Sequence, residues 1–157
     1  MNRLVAGTVL LFGLWACDGG RVYEAYRQLD HKGWHPDSAV VFSVGVRDTL
    51  SRYRMFLGIR NRGDYANANL WLSLVIRFPD HRMHTDTAEL ILAGPSGKWE
   101  GRGIGDLFDS RFLYETGMEF PVSGTYRFEI RHSMRTGLLK GIHDVGLRLE
   151  KEPKPAQ

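Results

Sequence analysis

The chain has 157 residues, a formal net charge of +3 and 43% hydrophobic residues, the make-up of one folded domain rather than a disordered chain. Its Lys and Arg are scattered among Asp and Glu without a basic run, which excludes a nucleic-acid footprint. A single cysteine, Cys17, excludes an intrachain disulfide.

Residues 1–17, MNRLVAGTVLLFGLWAC, open with one positive charge at Arg3 and continue as an apolar run to Ala16. Thirteen residues at about 1.5 Å each span roughly 20 Å, short of the ~30 Å that a membrane-crossing helix needs. The run fits the apolar region of a cleaved signal peptide. Its end, Leu14-Trp15-Ala16-Cys17, resembles a lipobox, with Trp15 a departure at a position usually held by a smaller residue. This reading assigns 1–16 to the signal peptide and Cys17 to lipidation. It places the mature protein on a membrane through N-terminal acyl chains.

Residues 17–36 are expected to form a tether and an N-terminal segment of coil or a short helical turn. Tyr23, Tyr26, Leu29 and Trp34 would contact the body. From residue 37 to 150 the pattern changes to alternation, the mark of half-buried strands. Val40, Phe42, Val44 and Val46 share one face, and Tyr53, Met55, Leu57 and Ile59 share another. Leu70, Leu72, Leu74, Ile76 and Phe78 form a long apolar row. Further strands are expected at 83–92, 110–114, 124–132 and 144–150. Asn61-Arg62-Gly63-Asp64, Pro79-Asp80, Gly94-Pro95 and Pro121-Val122-Ser123-Gly124 supply turn chemistry. The pattern predicts an all-β protein, a single antiparallel β-sandwich of seven to eight strands, jelly-roll-like. The polar, Pro-containing end, 151–157, is expected to be a disordered tail.

Residues 94–106, GPSGKWEGRGIGD, carry five glycines in thirteen positions. They fail as a phosphate loop. A P-loop needs four residues between its first Gly and the Gly-Lys pair, then Ser or Thr; here Gly94 and Gly97 are too close and Trp99 follows Lys98. The dinucleotide spacing is also absent. His81 and His84, three apart on a strand, point to opposite faces and make a poor metal pair. No nucleophile elbow or spaced carboxylate pair appears. Catalytic residues, cofactors and metals are therefore expected to be none. Lys98, Trp99, Arg102 and Asp106 are the residues of this segment least explained by core packing, and they are candidates for partner binding, with Trp99 the one expected to tuck inward. By parity Trp71 faces away from the core, and Phe56 likewise lies opposite its buried neighbours. An outward Trp and Phe would make a docking or sugar-stacking platform; residues 21–36, with Trp34, would otherwise cover that face.

With these residues in view, the chain resembles the gliding-motility lipoprotein family GldH of the Bacteroidota. The resemblance covers about 21–151. It rests on Gly33-Trp34-His35-Pro36-Asp37, Arg60-Asn61, Asn69-Leu70-Trp71-Leu72 and Thr85-Asp86-Thr87. Pro95-Ser96-Gly97-Lys98-Trp99 with Gly101, Gly103, Gly105 and Asp106 is its most specific block. Phe120-Pro121, Gly124-Thr125-Tyr126, Met134-Arg135 and Asp144-Val145-Gly146 complete it. The resemblance implies a non-enzymatic envelope lipoprotein of the gliding or envelope secretion machinery. With a single acid in Cys17-Asp18-Gly19-Gly20, the anchor is expected on the outer membrane facing the periplasm, with surface display the alternative; the all-β pattern without a catalytic signature points to binding of an envelope protein, and the Trp-rich sandwich makes glycan the alternative ligand.

Overall fold

A computed structural model describes residues 20–153. The signal peptide, Cys17 and residues 154–157 of the expected tail lie outside that range. The described residues form nine strands and no helix: β1 (Arg21–Gln28), β2 (Val40–Val46), β3 (Arg52–Arg62), β4 (Asn69–Arg77), β5 (Met83–Ile91), β6 (Arg102–Ile104), β7 (Leu107–Glu119), β8 (Gly124–His132) and β9 (Ile142–Lys151). Five strands make one sheet in the order β1-β9-β3-β7-β6, and four make the other in the order β2-β8-β4-β5. With the three-residue β6 set aside, the chain passes from sheet to sheet at nearly every step, and only β4 and β5 form a hairpin within one sheet. That order is the double Greek key of a jelly roll.

Alternation explains the core. Val40, Phe42, Val44 and Val46 of β2 and the Leu70, Leu72, Leu74 and Ile76 row of β4 are all buried. So are Tyr126, Phe128 and Ile130 of β8. They meet Tyr53, Met55, Leu57 and Ile59 of β3 and Val145, Leu147 and Leu149 of β9 from the facing sheet. Because side chains alternate across a strand, these rows leave their neighbours on the two outer faces.

Four strands, β1, β6, β7 and β9, differ from expectation. Residues 21–28, read as coil, form the edge strand β1 on β9, and Lys151, read as tail, closes β9. Residues 21–28 therefore belong to the five-stranded sheet, Trp34 of the following connection is buried in the core, and Trp71 stays 41% exposed. Strand β7 is also longer than 110–114; it runs on through register shifts opposite Met55, past Gly117 at φ 67°.

Both outer faces are polar. On the five-stranded sheet, Arg148 is buried between Glu24 (2.8 Å) and Glu150, while Arg111 reaches Glu24 at 3.0 Å. Burial pulls the Glu24 carboxyl upward, but Arg21, Arg148 and Arg111 hold it below its ordinary value. On the four-stranded sheet, the buried Glu129 carboxylate accepts from Arg77 (2.8 Å) and Arg127 (2.9 Å), with Arg131 at 3.5 Å. Arg77 and Arg127 lower its pKa.

Tyr26 explains why β1 lacks a clean period. Its ring lies on the outer face over Gly58 and Gly146, which pair across β3 and β9. A Cβ would stand 2.5 Å from the Tyr26 hydroxyl at Gly58 and 2.6 Å from its Cε1 at Gly146. The Arg60 guanidinium sits 4.1 Å from the ring centroid, and the Tyr26 hydroxyl donates to Asp109 at 3.4 Å. The two glycines thus make the cradle of one tyrosine. Gly146→Ala is expected to cost about 1–3 kcal/mol, because the ring must leave. In a Tyr26→Ala background the same change should cost less, with a coupling of ~0.5–3 kcal/mol. Denaturant unfolding of the four proteins measures this, and an equal cost in both backgrounds would refute the cradle.

Candidate functional site

The sandwich has two unlike ends. At one, the chain enters at Gly20; at the other lie the connections 29–39, 63–68, 92–101 and 133–141. The pairing of Asn61 with Ile142, and of Asn69 with Ile91, puts the ends of β3 and β5 and the starts of β4 and β9 together at this second, distal end.

The glycine-rich segment is at the distal end and carries the chain from β5 in one sheet to β6 in the other. It is tighter than a long loop. Gly97 donates to Gly94 O (2.9 Å), Gly94 donates to Lys98 O (2.9 Å), and Ala93 bridges Trp99. Gly97 (φ 78°) and Gly105 (φ 64°) take left-handed conformations that a side chain resists. Gly105-Asp106 is the two-residue turn between β6 and β7. Gly94, Gly97 and Gly105 therefore serve two turns, while Gly101 lets the chain approach Ser110 and Asp109 of β7, where a Cβ would stand 2.5 Å from Ser110 Oγ. Trp99 is tucked in, its ring 6.3 Å from Tyr65 and 5.7 Å from Phe108. Burial pushes the Tyr65 hydroxyl up to about 12. Lys98, Arg102 and Asp106 stay exposed. Asp106 faces Arg62 Nη2 at 3.5 Å, and Arg102 lines a shallow cleft with Gly103, Asp109 and Arg111.

Trp71 stands apart from this segment, on the outer face of the four-stranded sheet, with 41% of its surface exposed. Its backbone N–H points to Met134 Sδ (3.3 Å), and its carbonyl accepts from Ser133 N–H (2.8 Å). Asn67, Trp71, Ser133, Met134, Arg135 and Thr136 line a cleft of about 690 Å³. The pairing of Trp71 with Phe56 does not hold: Phe56 is on β3, in the other sheet, under the Arg54 guanidinium at 5.8 Å. Sequence reasoning named Trp71 but not Ser133 or Thr136 beside it. Met134-Arg135 stood out only as a family block.

The arrangement offers recognition chemistry: one exposed indole in a cleft and, separately, the exposed side chains of Lys98, Arg102 and Asp106. Among the described residues no three of His, Cys, Asp and Glu gather as metal ligands. His81 sits in the β4–β5 turn at φ 68°, and both His81 and His84 are exposed.

The GldH lipoprotein family matches residues 21–149, the whole sandwich from β1 almost to the end of β9. The chain belongs to this family. A gliding motility lipoprotein GldH homolog of Christiangramia forsetii is 38% identical over 151 residues, covering 92% of this chain and 91% of that one. The gliding motility lipoprotein GldH of Flavobacterium johnsoniae is 32% identical over 156 residues, covering 95% and 94%. Likeness to solved structures is distant. The VP2 subviral particle of infectious bursal disease virus matches 82% of this chain and 30% of its own, at 13% identity and a TM-score of 0.35. Membership makes the chain a gliding-motility lipoprotein of the cell envelope, and Thr85-Asp86-Thr87 can now be placed in the GldH fold. These residues lie on edge strand β5, where Asp86 accepts from the Tyr114 hydroxyl of β7 and joins the two sheets at their open side.

Proposed function

We propose that the protein is a non-enzymatic accessory of the gliding and envelope secretion machinery, acylated at Cys17 on the periplasmic face of the outer membrane. Its distal end binds an envelope protein. The observation that carries this reading is the separation of the two ends. The tether leaves beside Gly20, while Trp71, with its cleft, and Lys98 stand at the opposite end of a rigid sandwich. Loops on a rigid β scaffold are where binding surfaces sit, and a half-exposed tryptophan is the residue type that most often anchors an interface.

Affinity capture of the full-length protein in mild detergent tests it. The native chain is expected to recover envelope proteins. Trp71→Ala, and separately Lys98→Glu with Arg102→Glu, should each lower recovery about tenfold or more, the effect of losing an interface anchor. Unchanged recovery with both variants would refute the distal surface. Recovery of no protein, with binding to cell-wall glycan that Trp71→Ala abolishes, would favour glycan as the ligand.

A further inference from the structure

Leu50 is the most exposed of the large apolar side chains among the described residues, at 96%. Burying a leucine is favourable, so its display forgoes that gain. The loop that carries it, 47–51, is built rather than loose. Asp48 accepts from the N–H groups of Leu50 (3.0 Å) and Ser51 (3.1 Å), from Ser51 Oγ (2.7 Å) and from Lys151 Nζ (2.6 Å). The Tyr53 hydroxyl donates to the Asp48 carbonyl at 2.7 Å.

A lone exposed leucine is ordinary on a protein surface; its position here is what counts. Lys151, which holds Asp48 through its ammonium, donates its backbone N–H to Gly20 O at 2.7 Å. The chain therefore leaves for Cys17 beside the loop that displays Leu50. Cys17 is three residues before Gly20, so the two are separated by at most about 11 Å of extended chain. The headgroup region of one leaflet is roughly 5–8 Å thick. A domain on so short a leash cannot stand clear of the bilayer. Arg47 and Arg52 flank the loop and are exposed, Arg52 with its Nε also 3.2 Å from Glu119, and Arg82 of the 78–82 turn, paired with Asp80 at 2.7 Å, lies at the same end.

We propose that this end of the sandwich rests on the lipid surface, with Leu50 inserted among the headgroups and Arg47 and Arg52 against lipid phosphates. The inference rests on acylation at Cys17, and it fixes the distal end pointing away from the membrane. An environment-sensitive fluorophore tests it. The acylated full chain is labelled at Leu50→Cys or, as a distal control, at Lys140→Cys; the acylated Cys17 thioether does not take the label. Each protein is reconstituted into vesicles of phosphatidylethanolamine and phosphatidylglycerol that contain headgroup- or shallow-chain spin-labelled lipid. Position 50 is expected to show a blue shift and loss of emission, and position 140 neither. A solvent-like probe at position 50 in protein that sediments with the vesicles would overturn the docking and leave the anchoring intact. Quenching at both positions would overturn the orientation. Protein that does not sediment would overturn acyl anchoring, and the docking with it.

Discussion

Cys17→Ser is expected to abolish incorporation of a clickable fatty-acid analogue and to remove the protein from the outer-membrane fraction. In the proposed acylation the thiol is the nucleophile that takes the lipid, and serine's hydroxyl is a far weaker one. Among the described residues no helix is long and apolar enough to cross a membrane, and the run before Cys17 reaches only about 20 Å. A docked Leu50 contributes on the order of 1.5–3 kcal/mol, whereas each buried acyl methylene contributes about 0.8 kcal/mol and several chains make the anchor durable. Acyl labelling of the native chain and its loss in the variant, read beside membrane fractionation, give the result directly. Label retained in Cys17→Ser, or outer-membrane retention without label, would overturn the assignment of Cys17.

The strands that could be read in the sequence are those whose apolar residues alternate with polar ones. In β2 and β4 every second residue enters the core, so parity alone identifies Phe42 and Leu72 as buried, and the same alternation identifies Phe128 of β8 and Leu147 of β9, although Glu129 and Arg148 on the outer faces of those strands are buried as well. The same parity turns Trp71 outward. Parity fails where tertiary contacts cover the outer face. Tyr26 hides its ring over Gly58 and Gly146, so β1 has partly buried residues on both sides and no period to find. Strand β6 is only three residues long, inside a glycine-rich segment that reads as turn. The cleft beside Trp71 needs the end of β8 to return beside the start of β4, and only the register of that pair, Leu72 opposite His132, brings Met134 there. The segment expected to cover Trp71 instead sends Trp34 to the core, which leads to the largest structural effect.

Trp34→Ala is expected to destabilise the fold by about 3–5 kcal/mol, the range for removing a fully buried tryptophan. Only 2% of Trp34 is exposed. Its ring meets His132 edge to face at 5.3 Å, and its indole N–H donates to Ser38 O at 2.7 Å. Its backbone exchanges hydrogen bonds with Leu139 at 2.7 and 2.9 Å, and its carbonyl lies 2.9 Å from His132 Nε2. One residue thus ties the 29–39 connection to the 133–141 connection and closes the distal end. Against a total stability of roughly 5–15 kcal/mol, the loss is a large share, and for about 130 folded residues it lowers Tm by some 10–20 °C. Calorimetry measures it; a fall of only a few degrees would refute the closing role. His132 supplies a second readout. Burial holds its pKa below the ordinary value, so admitting water should let it rise toward that value in an NMR titration. Trp71→Ala, at a half-exposed site, should change stability by little more than about 0.5 kcal/mol. Because the loop that Trp34 pins continues into Ser133 and Met134 beside Trp71, Trp34→Ala is expected to weaken partner capture as well. Capture lost in Trp71→Ala with the fold intact therefore distinguishes a binding tryptophan from a structural one.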